Sequence, residues 1–524
     1  MNHLHTLEPR WFDEVRPLFF RRCGQRILVV TDGGLNYDPN DDFGLTEFLQ
    51  TLSASGSPLS PPVVSTAHRN GDPNASIPGA FNFATAARAV TAANYDQIWM
   101  FGISTAPLQN AERRVIAQFM QDGGGVFATG DHSTLGAGMG ANLPRVRNMR
   151  NWASIPMSSQ DRHDTIAGAG KDVGYQFTDQ SDDVPQRIYP HYQLQSGTWV
   201  VHPLLRSPAG DIESLPDHPH ESECTVPSDL TQSMTIDGLT VQEYPTDSAG
   251  TRISPVIVAT SISGGRYLTD AGKPPVTPRC FGAVSAYDGH RVGVGRVVCD
   301  ATWHHFVNVN LNGMGNPLRD PANFATGKNG LYDALGNPTP QYQQIKRYYK
   351  NLAGWMAPSR VRWCRWWLDL VLERYRFPLI EEWEPLPHPA PWERLVQAGA
   401  LVQEALDRAH GAGTAAEMVA DLIGGDLSQR LFTVGKERHL MPALELRQGL
   451  LGAAMEVVAR ELPEDPLRLA AALKDMGADD IAREQFATAR KLALGAASEH
   501  FARAAQTTAR LAKALGDTEA VTAC

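Results

Sequence analysis

Three short apolar runs, each stopping at a polar or glycine residue, restrict what this chain can fold into. Ile27-Leu28-Val29-Val30 stops at Thr31-Asp32, and Ile98-Trp99-Met100-Phe101 stops at Gly102. Val126-Phe127-Ala128, led in by Gly123-Gly124-Gly125, stops at Thr129-Gly130-Asp131-His132-Ser133. Runs this short, with no polar alternation, suit strands buried on both faces. A helix is expected from Phe43, and another after Pro107, where Leu108, Val115, Ile116 and Phe119 form a stripe. Strands alternating with helices mean βαβ units and a mostly parallel, doubly wound, flavodoxin-like α/β sheet. Further strands are expected at 61–68, 254–260, 281–286 and 295–300, the last two joined by a turn at Tyr287-Asp288-Gly289-His290. Residues 141–250, rich in Asp, Ser, Pro and Gly, read as long excursions over the sheet.

From about residue 340 the character changes. A helix is expected over 341–356, and the tryptophans Trp355, Trp363, Trp366, Trp367, Trp383 and Trp392 cluster among arginines. Residues 378–391 are proline-rich, and 393–524 read as an all-α C-terminal module of about five helices. One of these is capped by Asp465-Pro466, carries Leu469, Leu473 and Met476 on one face, and stops at Gly477. The expected division is an N-terminal extension (1–23), an α/β domain (24–355), a Trp/Pro-rich connector (356–392) and the helical module. The Trp/Arg mixture admits nucleic-acid stacking, a membrane surface or an interdomain helix. A net charge of −10 over 524 residues argues against nucleic acid as the main partner. The six cysteines are scattered with no C-x-x-C pair and suggest neither a zinc knuckle nor a disulfide framework. With neither a signal peptide nor a spanning apolar stretch in view, a cytoplasmic protein without a membrane partner is expected.

Chemistry-bearing residues gather where strands should end. Asp32 follows the first strand, with Asp38, Asp41 and Asp42 beyond it; Asp131 and His132 end the fourth; Asp300, His304 and His305 end a late one. Ligands of open α/β sheets bind outside the carboxyl ends of the strands. Asp131, His132, His304 and His305 are the candidate proton-transfer residues, since imidazole and carboxylate groups serve acid–base catalysis near neutral pH. Asp32, Asp42, Gly130, Ser133 and Asp300 are the candidate substrate contacts. Asp217-His218-Pro219-His220-Glu221 has a spacing that offers His218, His220 and Glu221 to one divalent metal, zinc or similar. Each cluster has a plainer alternative. An aspartate at a strand end can cap a helix, one of His304 and His305 can be structural, and 217–221 can be a surface loop. Gly136-x-Gly138-x-Gly140 can shape an anion nest or a tight turn. A G-x-S-x-G elbow and a G-x-x-x-x-G-K-[ST] phosphate loop are both missing from the sequence.

Gly123-Gly124-Gly125-Val126-Phe127 running into Asp131-His132-Ser133 resembles the "GGGxxxLHS" segment of trehalose-utilisation (ThuA-like) proteins, within the class I glutamine-amidotransferase-like superfamily. Val201-His202-Pro203-Leu204 followed by Leu215-Pro216-Asp217-His218 is similar to that family's "HPI…LP" segment. Gly295-Arg296-Val297-Val298 ending in His304-His305 is similar to its "GRVFYTSLGH" strand. The resemblance covers about 24–355. It implies a flavodoxin-like sheet and a link to carbohydrate metabolism. Glutamine amidotransferases carry a cysteine nucleophile after the strand that here ends in Gly130-Asp131-His132-Ser133, so cysteine-dependent glutamine hydrolysis is not expected.

Two functions are expected from these readings. One is an enzyme, a hydrolase or isomerase, acting on a small polar and carbohydrate-derived molecule by His/Asp acid–base or metal-assisted chemistry. The other is a non-catalytic ligand sensor or scaffold. In either, residues 393–524 are the part suited to homo-oligomer assembly or partner docking.

Overall fold

The computed structural model describes residues 23–55, 61–85, 89–131, 134–152, 175–176, 185–216, 222–263, 266–267, 279–312, 331–333, 335, 337–376, 391–424, 443–463, 468–469, 471–472 and 481–522. They divide into an α/β unit (23–193 and 201–362) and a helical unit (194–200 and 363–524).

The sheet of the α/β unit has nine strands: β1 (Arg26–Thr31), β2 (Val63–His68), β3 (Gln97–Phe101), β4 (Gly125–Thr129), β5 (Gln186–Pro190), β6 (Ser214–Leu215), β7 (Val256–Ser263), β8 (Arg279–Tyr287) and β9 (Val297–Asp300). Their order is β2-β1-β3-β4-β9-β8-β7-β5-β6. The first five are mutually parallel, and every pairing from β9 to β6 is antiparallel. Only β8 and β5 therefore run against the other seven. The parallel half has the flavodoxin strand order, with β9 in fifth place and the topological switch between β1 and β3. The 141–250 segment, expected to stay off the sheet, supplies β5 and β6 at its far end. Gln186 pairs with Leu215, and Ile188 with Ser261.

Alternate residues of the short apolar runs serve opposite faces. Ile27, Val29, Trp99, Phe101, Phe127 and Val298 lie in one core with α1 (Thr46–Ser53) and α3 (Pro340–Met356). Leu28, Val30, Ile98, Met100, Val126, Ala128, Val297 and Cys299 lie in a second core with α2 (Asn110–Gln121). Helices on both faces explain why the strand sequences show no polar alternation. Two helix starts differ from expectation. α1 begins at Thr46 rather than Phe43, because Asp41 N–H donates to Asp38 O and Gly44 N–H to Asp41 O, forming consecutive turns. α2 begins at Asn110, three residues after Pro107, where Gln109 and Glu112 cap each other's backbone N–H groups.

The glycine run at the start of β4 is a packing requirement. A Cβ on Gly124 would lie 2.3 Å from the Phe119 ring, on Gly125 2.3 Å from Met356 O, and on Gly295 1.9 Å from Gly124 O. At the same end of the sheet, Arg296 Nε donates to Asp288 Oδ1 (2.7 Å), Arg296 Nη1 to Trp355 O (2.9 Å), and the guanidinium sits over the Trp355 ring.

α4 (Ser359–Arg376), which belongs to the helical unit from Trp363 onward, occupies half of the expected connector. It is followed by α5 (Trp392–His410), α6 (Thr414–Ile423), α7 (Ala443–Glu461) and α8 (Ile481–Thr522). The helix expected after Asp465 falls largely outside the described residues. Close approach of α5 and α7 depends on small residues: a Cβ on Gly399 would lie 1.7 Å from Gln448 O, and on Gly452 1.9 Å from Leu395 O. Three of the clustered tryptophans are hydrogen-bonded within this unit. Trp366 Nε1 donates to Asp421 Oδ2 (2.7 Å), Trp367 Nε1 to Gln485 Oε1 (2.5 Å) and Trp392 Nε1 to Glu445 Oε1 (2.9 Å). Among the described residues no helix is long and apolar enough to cross a membrane. Cys23 is disulfide-bonded and so is Cys364, which the scattered cysteine spacing did not suggest.

Burial works to raise the Asp288 pKa, but Arg296, His290 and Arg362 override it and hold the carboxyl well below the usual carboxylate range. A depressed folded-state pKa contributes stability above the unfolded value and loses it as pH falls. Part of the acid sensitivity below about pH 4 is therefore expected to come from this group. Urea unfolding of Asp288→Asn and wild type should give a stability difference that shrinks as pH drops from 6 toward about 3.

Candidate functional site

The register across the parallel strands fixes where the candidate residues stand. Thr31, Phe101, Thr129 and Asp300 form one row. The next row toward the carboxyl ends is Asp32, Gly102, Gly130 and Ala301, with neighbouring strands about 4.8 Å apart. Gly102, Gly130 and Gly136 meet there backbone to backbone: a Cβ on Gly102 would lie 2.7 Å from Gly136 Cα, and on Gly130 2.3 Å from Leu135 O. Gly136 has φ +86° and Asp131 N–H donates to Leu135 O (3.2 Å), so the chain doubles back over the strand ends. Gly138 and Gly140 pack in the same way, on Ser104 and Ala106 carbonyls and on the Trp152 ring. This is the tight-turn alternative for the glycine tail.

Asp131 and the segment after β9 form a hydrogen-bonded cluster. The Thr302 hydroxyl donates to Asp131 Oδ1 (2.8 Å), while Thr302 N–H donates to Asp300 Oδ1 (3.3 Å), so one residue spans two carboxylates. Asp131 Oδ2 faces His304 Nε2 at 3.5 Å. The other ring nitrogen, Nδ1, lies 3.0 Å from Asn310 Oδ1. The imidazole stacks on the Trp303 ring at 4.2 Å and is 16% exposed. Trp303 N–H donates to Gly130 O (2.9 Å), which ties the segment to the end of β4. Gly130 thus contributes its carbonyl and its missing side chain rather than a free contact.

His304 and His305 lie on a 3-10 turn, Trp303–His305, and their environments differ. His305 is fully buried, with Nδ1 2.7 Å from Asp300 Oδ1. Tyr348 OH donates to Asp300 Oδ2 (2.7 Å) and Tyr349 OH to His305 O (2.5 Å). Burial, then the neighbouring Asp300, pushes the Tyr348 pKa up, so its hydroxyl stays a donor. Asp300, expected to contact substrate, is 0% exposed and takes up His305, Tyr348 and Thr302 instead. Phe306 anchors the turn from below, 5.1 Å from Phe101 and 5.2 Å from Phe127 between ring centroids.

Arg150, 1% exposed, ties the ends of β4 and β9 together through their backbone carbonyls. Its Nη2 donates to Asp131 O (2.7 Å) and Ala301 O (2.8 Å). Burial pulls its pKa down, while Cys224, Asp131, Cys299 and Asp300 act to hold the charge.

Asp32 occupies the switch point between β1 and β3. Its Oδ1 accepts from Ile103 N–H (2.7 Å) and Ser104 N–H (2.9 Å), so it caps the loop after the neighbouring strand rather than its own helix. Oδ2 is buried with no hydrogen-bond partner. An unpaired buried carboxylate oxygen costs stability unless strain, function or a bound water or ion accounts for it. Asp42 is exposed on the loop beyond, its carbonyl accepting from Val309 N–H (2.9 Å). His132, Ser133, His218, His220 and Glu221 lie outside the described residues. Among the described residues no group of three or more His, Cys, Asp or Glu could hold a metal ion.

Sequence reasoning missed Thr302, Arg150, Asn308, Asn310 and Tyr348. Thr302 and the asparagines follow β9 closely, and their polarity in that place is a weak signal. Arg150 lies in an irregular segment and Tyr348 on a helix, where nothing local marks them. The chain was compared with family models, with curated proteins and with solved structures, and none matches it.

Two outcomes follow from this geometry. Tyr348→Phe strands Asp300 Oδ2 without a donor and should cost about 2–3 kcal/mol in urea unfolding. Burial pushes the Cys299 thiol up to about 12 and the Cys224 thiol well above its usual range. Iodoacetamide at pH 8 should therefore label exposed Cys280 in the folded chain and reach Cys224 and Cys299 only after unfolding.

Proposed function

We propose that this chain is an enzyme that transfers protons on a small polar molecule bound at the carboxyl edge of its parallel strands. The observation that carries the reading is the bracing of His304. A partly exposed imidazole is held on one side by a carboxylate and on the other by a buried amide. A partner on one nitrogen fixes the ring and the state of the other: Asn310 on Nδ1 sets the ring, and Nε2, 3.5 Å from Asp131 Oδ2, is the nitrogen that exchanges protons in this reading. His304 is the proton-transfer group, Asp131 orients it and balances its charge, and Asn310 holds Nδ1. Asp32 Oδ2 offers an unspent acceptor to a ligand at the switch point. His305, Asp300 and Tyr348 support the turn from within. Hydrolysis and isomerisation are the reaction classes that suit these groups.

The ThuA-like resemblance supports a carbohydrate-derived substrate, and it brings His132 and Ser133 into the same proposal beside Asp131. His218, His220 and Glu221 remain the proposed ligands of a divalent metal, which would add Lewis-acid assistance. Residues 393–524 are proposed for assembly or partner docking, a reading supported by the unbroken exposure of residues 502–511 on α8.

The test screens phosphorylated, lactone and aldose or ketose sugars for turnover. On any substrate found, His304→Gln should lower kcat by 10²–10⁴-fold and Asp131→Asn by less. Full activity in His304→Gln would overturn the assignment. Metal analysis before and after chelation decides whether a divalent ion takes part.

A further inference from the structure

The loop after β1 and the short helical turn Asn308–Asn312 cap each other. Asn308 N–H donates to Gly44 O (2.8 Å), and Val309 N–H donates to Asp42 O (2.9 Å), so the loop's carbonyls satisfy the first donors of the turn. In return, Asn308 Oδ1 accepts from Glu47 N–H and from the Thr46 hydroxyl, each at 3.2 Å, which caps the start of α1. Asn308 Nδ2 reaches back to Asp41 O at 3.0 Å and Asp38 O at 3.4 Å. The side chain is 3% exposed, and a Cβ on Gly44 would lie 2.6 Å from its Nδ2. A glycine is required at 44 for this contact to form.

The loop's base is held from within and its crown faces solvent. Tyr37 OH lies 2.9 Å from both Val29 O and Ala67 O, and Tyr37 N–H donates to Asp72 Oδ2 (2.8 Å). Residues 39–43 are exposed. At the crown, Phe43 meets Trp303 edge-on at 5.5 Å, and Trp303 is the ring on which His304 stacks. Two residues beyond Asn308 on the same turn, fully buried Asn310 holds His304 Nδ1. The loop therefore touches the histidine's setting by two routes, through Phe43 and Trp303 and through Asn308 and Asn310.

We infer that Asn308 is a positioning residue which passes the placement of the 38–44 loop to His304 through Asn310. The inference rests on the assignment of His304 as the proton-transfer group. Asn308 Nδ2 holds the loop at Asp41 O, and Asn310, two residues further on, holds His304 Nδ1. Any shift of the loop moves the carbonyls of Asp42 and Gly44, and the turn whose donors they satisfy must follow or lose those hydrogen bonds. Asn310 rides on that turn, so its distance from Nδ1 changes with it. The coupling runs through reciprocal hydrogen bonds between two segments far apart in sequence.

The test reads His304 directly and needs no substrate. Histidine side-chain ¹⁵N spectra of the full chain are recorded against pH, with the His304 signal identified by its loss in His304→Gln. Amide exchange of Gly44, Asn308 and Val309 is followed in parallel. Asn310→Ala removes an acceptor that favours the protonated ring, so the His304 midpoint should fall by about half a unit or more. Asn308→Ala should move it in the same direction by a smaller amount and speed exchange at the three amides at least tenfold. Asn308→Ser keeps a side-chain oxygen for Glu47 N–H but does not reach the loop, and it serves if Asn308→Ala fails to fold. Faster exchange with the His304 midpoint unmoved would overturn the relay. Unchanged exchange would overturn the clasp itself. The assignment of His304 as the proton-transfer group fails separately, by full turnover in His304→Gln, whatever the titration shows.

Discussion

β4 is held at both ends by backbone that leaves no room for a side chain. At its start the contact of Gly124 with Gly295 sets β9 beside it, and at its finish Gly102, Gly130 and Gly136 close over the strand ends. Everything in the candidate site follows from that grip. β9 can lie parallel to β4 at the right height only because its approach passes through Gly295. Its first residues after the sheet then emerge beside Asp131. A methyl group at Gly102, Gly130, Gly136 or Gly295 would need backbone to move, and one at Gly124 would need the packed Phe119 ring to move, which close-packed interiors resist.

Within that frame the site is layered by burial. The lowest layer is the aromatic cluster of Phe101, Phe127 and Phe306 with Phe48, whose ring pairs lie 5.1–5.6 Å apart. Aromatic contacts of this kind contribute about 0.5–1.5 kcal/mol each beyond the area they bury, enough to fix the turn that follows β9. Above it sits the closed array of Asp300, His305 and Tyr348, with Arg150 lending positive charge to both strand ends. The upper layer, Asp131, Thr302, His304 and Asn310, is where solvent first reaches a titratable ring. Two adjacent histidines thus take opposite roles through position alone: one is sealed against a carboxylate, and the other is braced but open.

Much of the fold was legible. The runs at 27–30, 98–101 and 126–128 were strands, and the doubly wound, flavodoxin-like arrangement with a helical C-terminal region holds. Periodicity carries that information because a strand buried on both faces must be apolar at every residue. β5 and β6, at the far end of the sheet, were hidden because both come from a turn-rich segment, β5 being half exposed and β6 only two residues long. The start of α1 at Thr46 was hidden too, since its cap is the side chain of Asn308, 261 residues away from Glu47 in sequence.

The sequence by itself determined that acids and imidazoles would collect at the carboxyl ends of a parallel sheet. Local pattern places strand ends, and strand ends in this topology face one edge. Which of those groups meet was decided by tertiary structure alone. Thr302 joins Asp131 across 171 residues, Tyr348 joins Asp300 across 48, and Asp32 caps Ile103 rather than its own helix. A hydrogen bond is specified by distances of about 3 Å and by donor direction. Those are set by how β4, β9 and α3 pack, and no spacing along the chain encodes them.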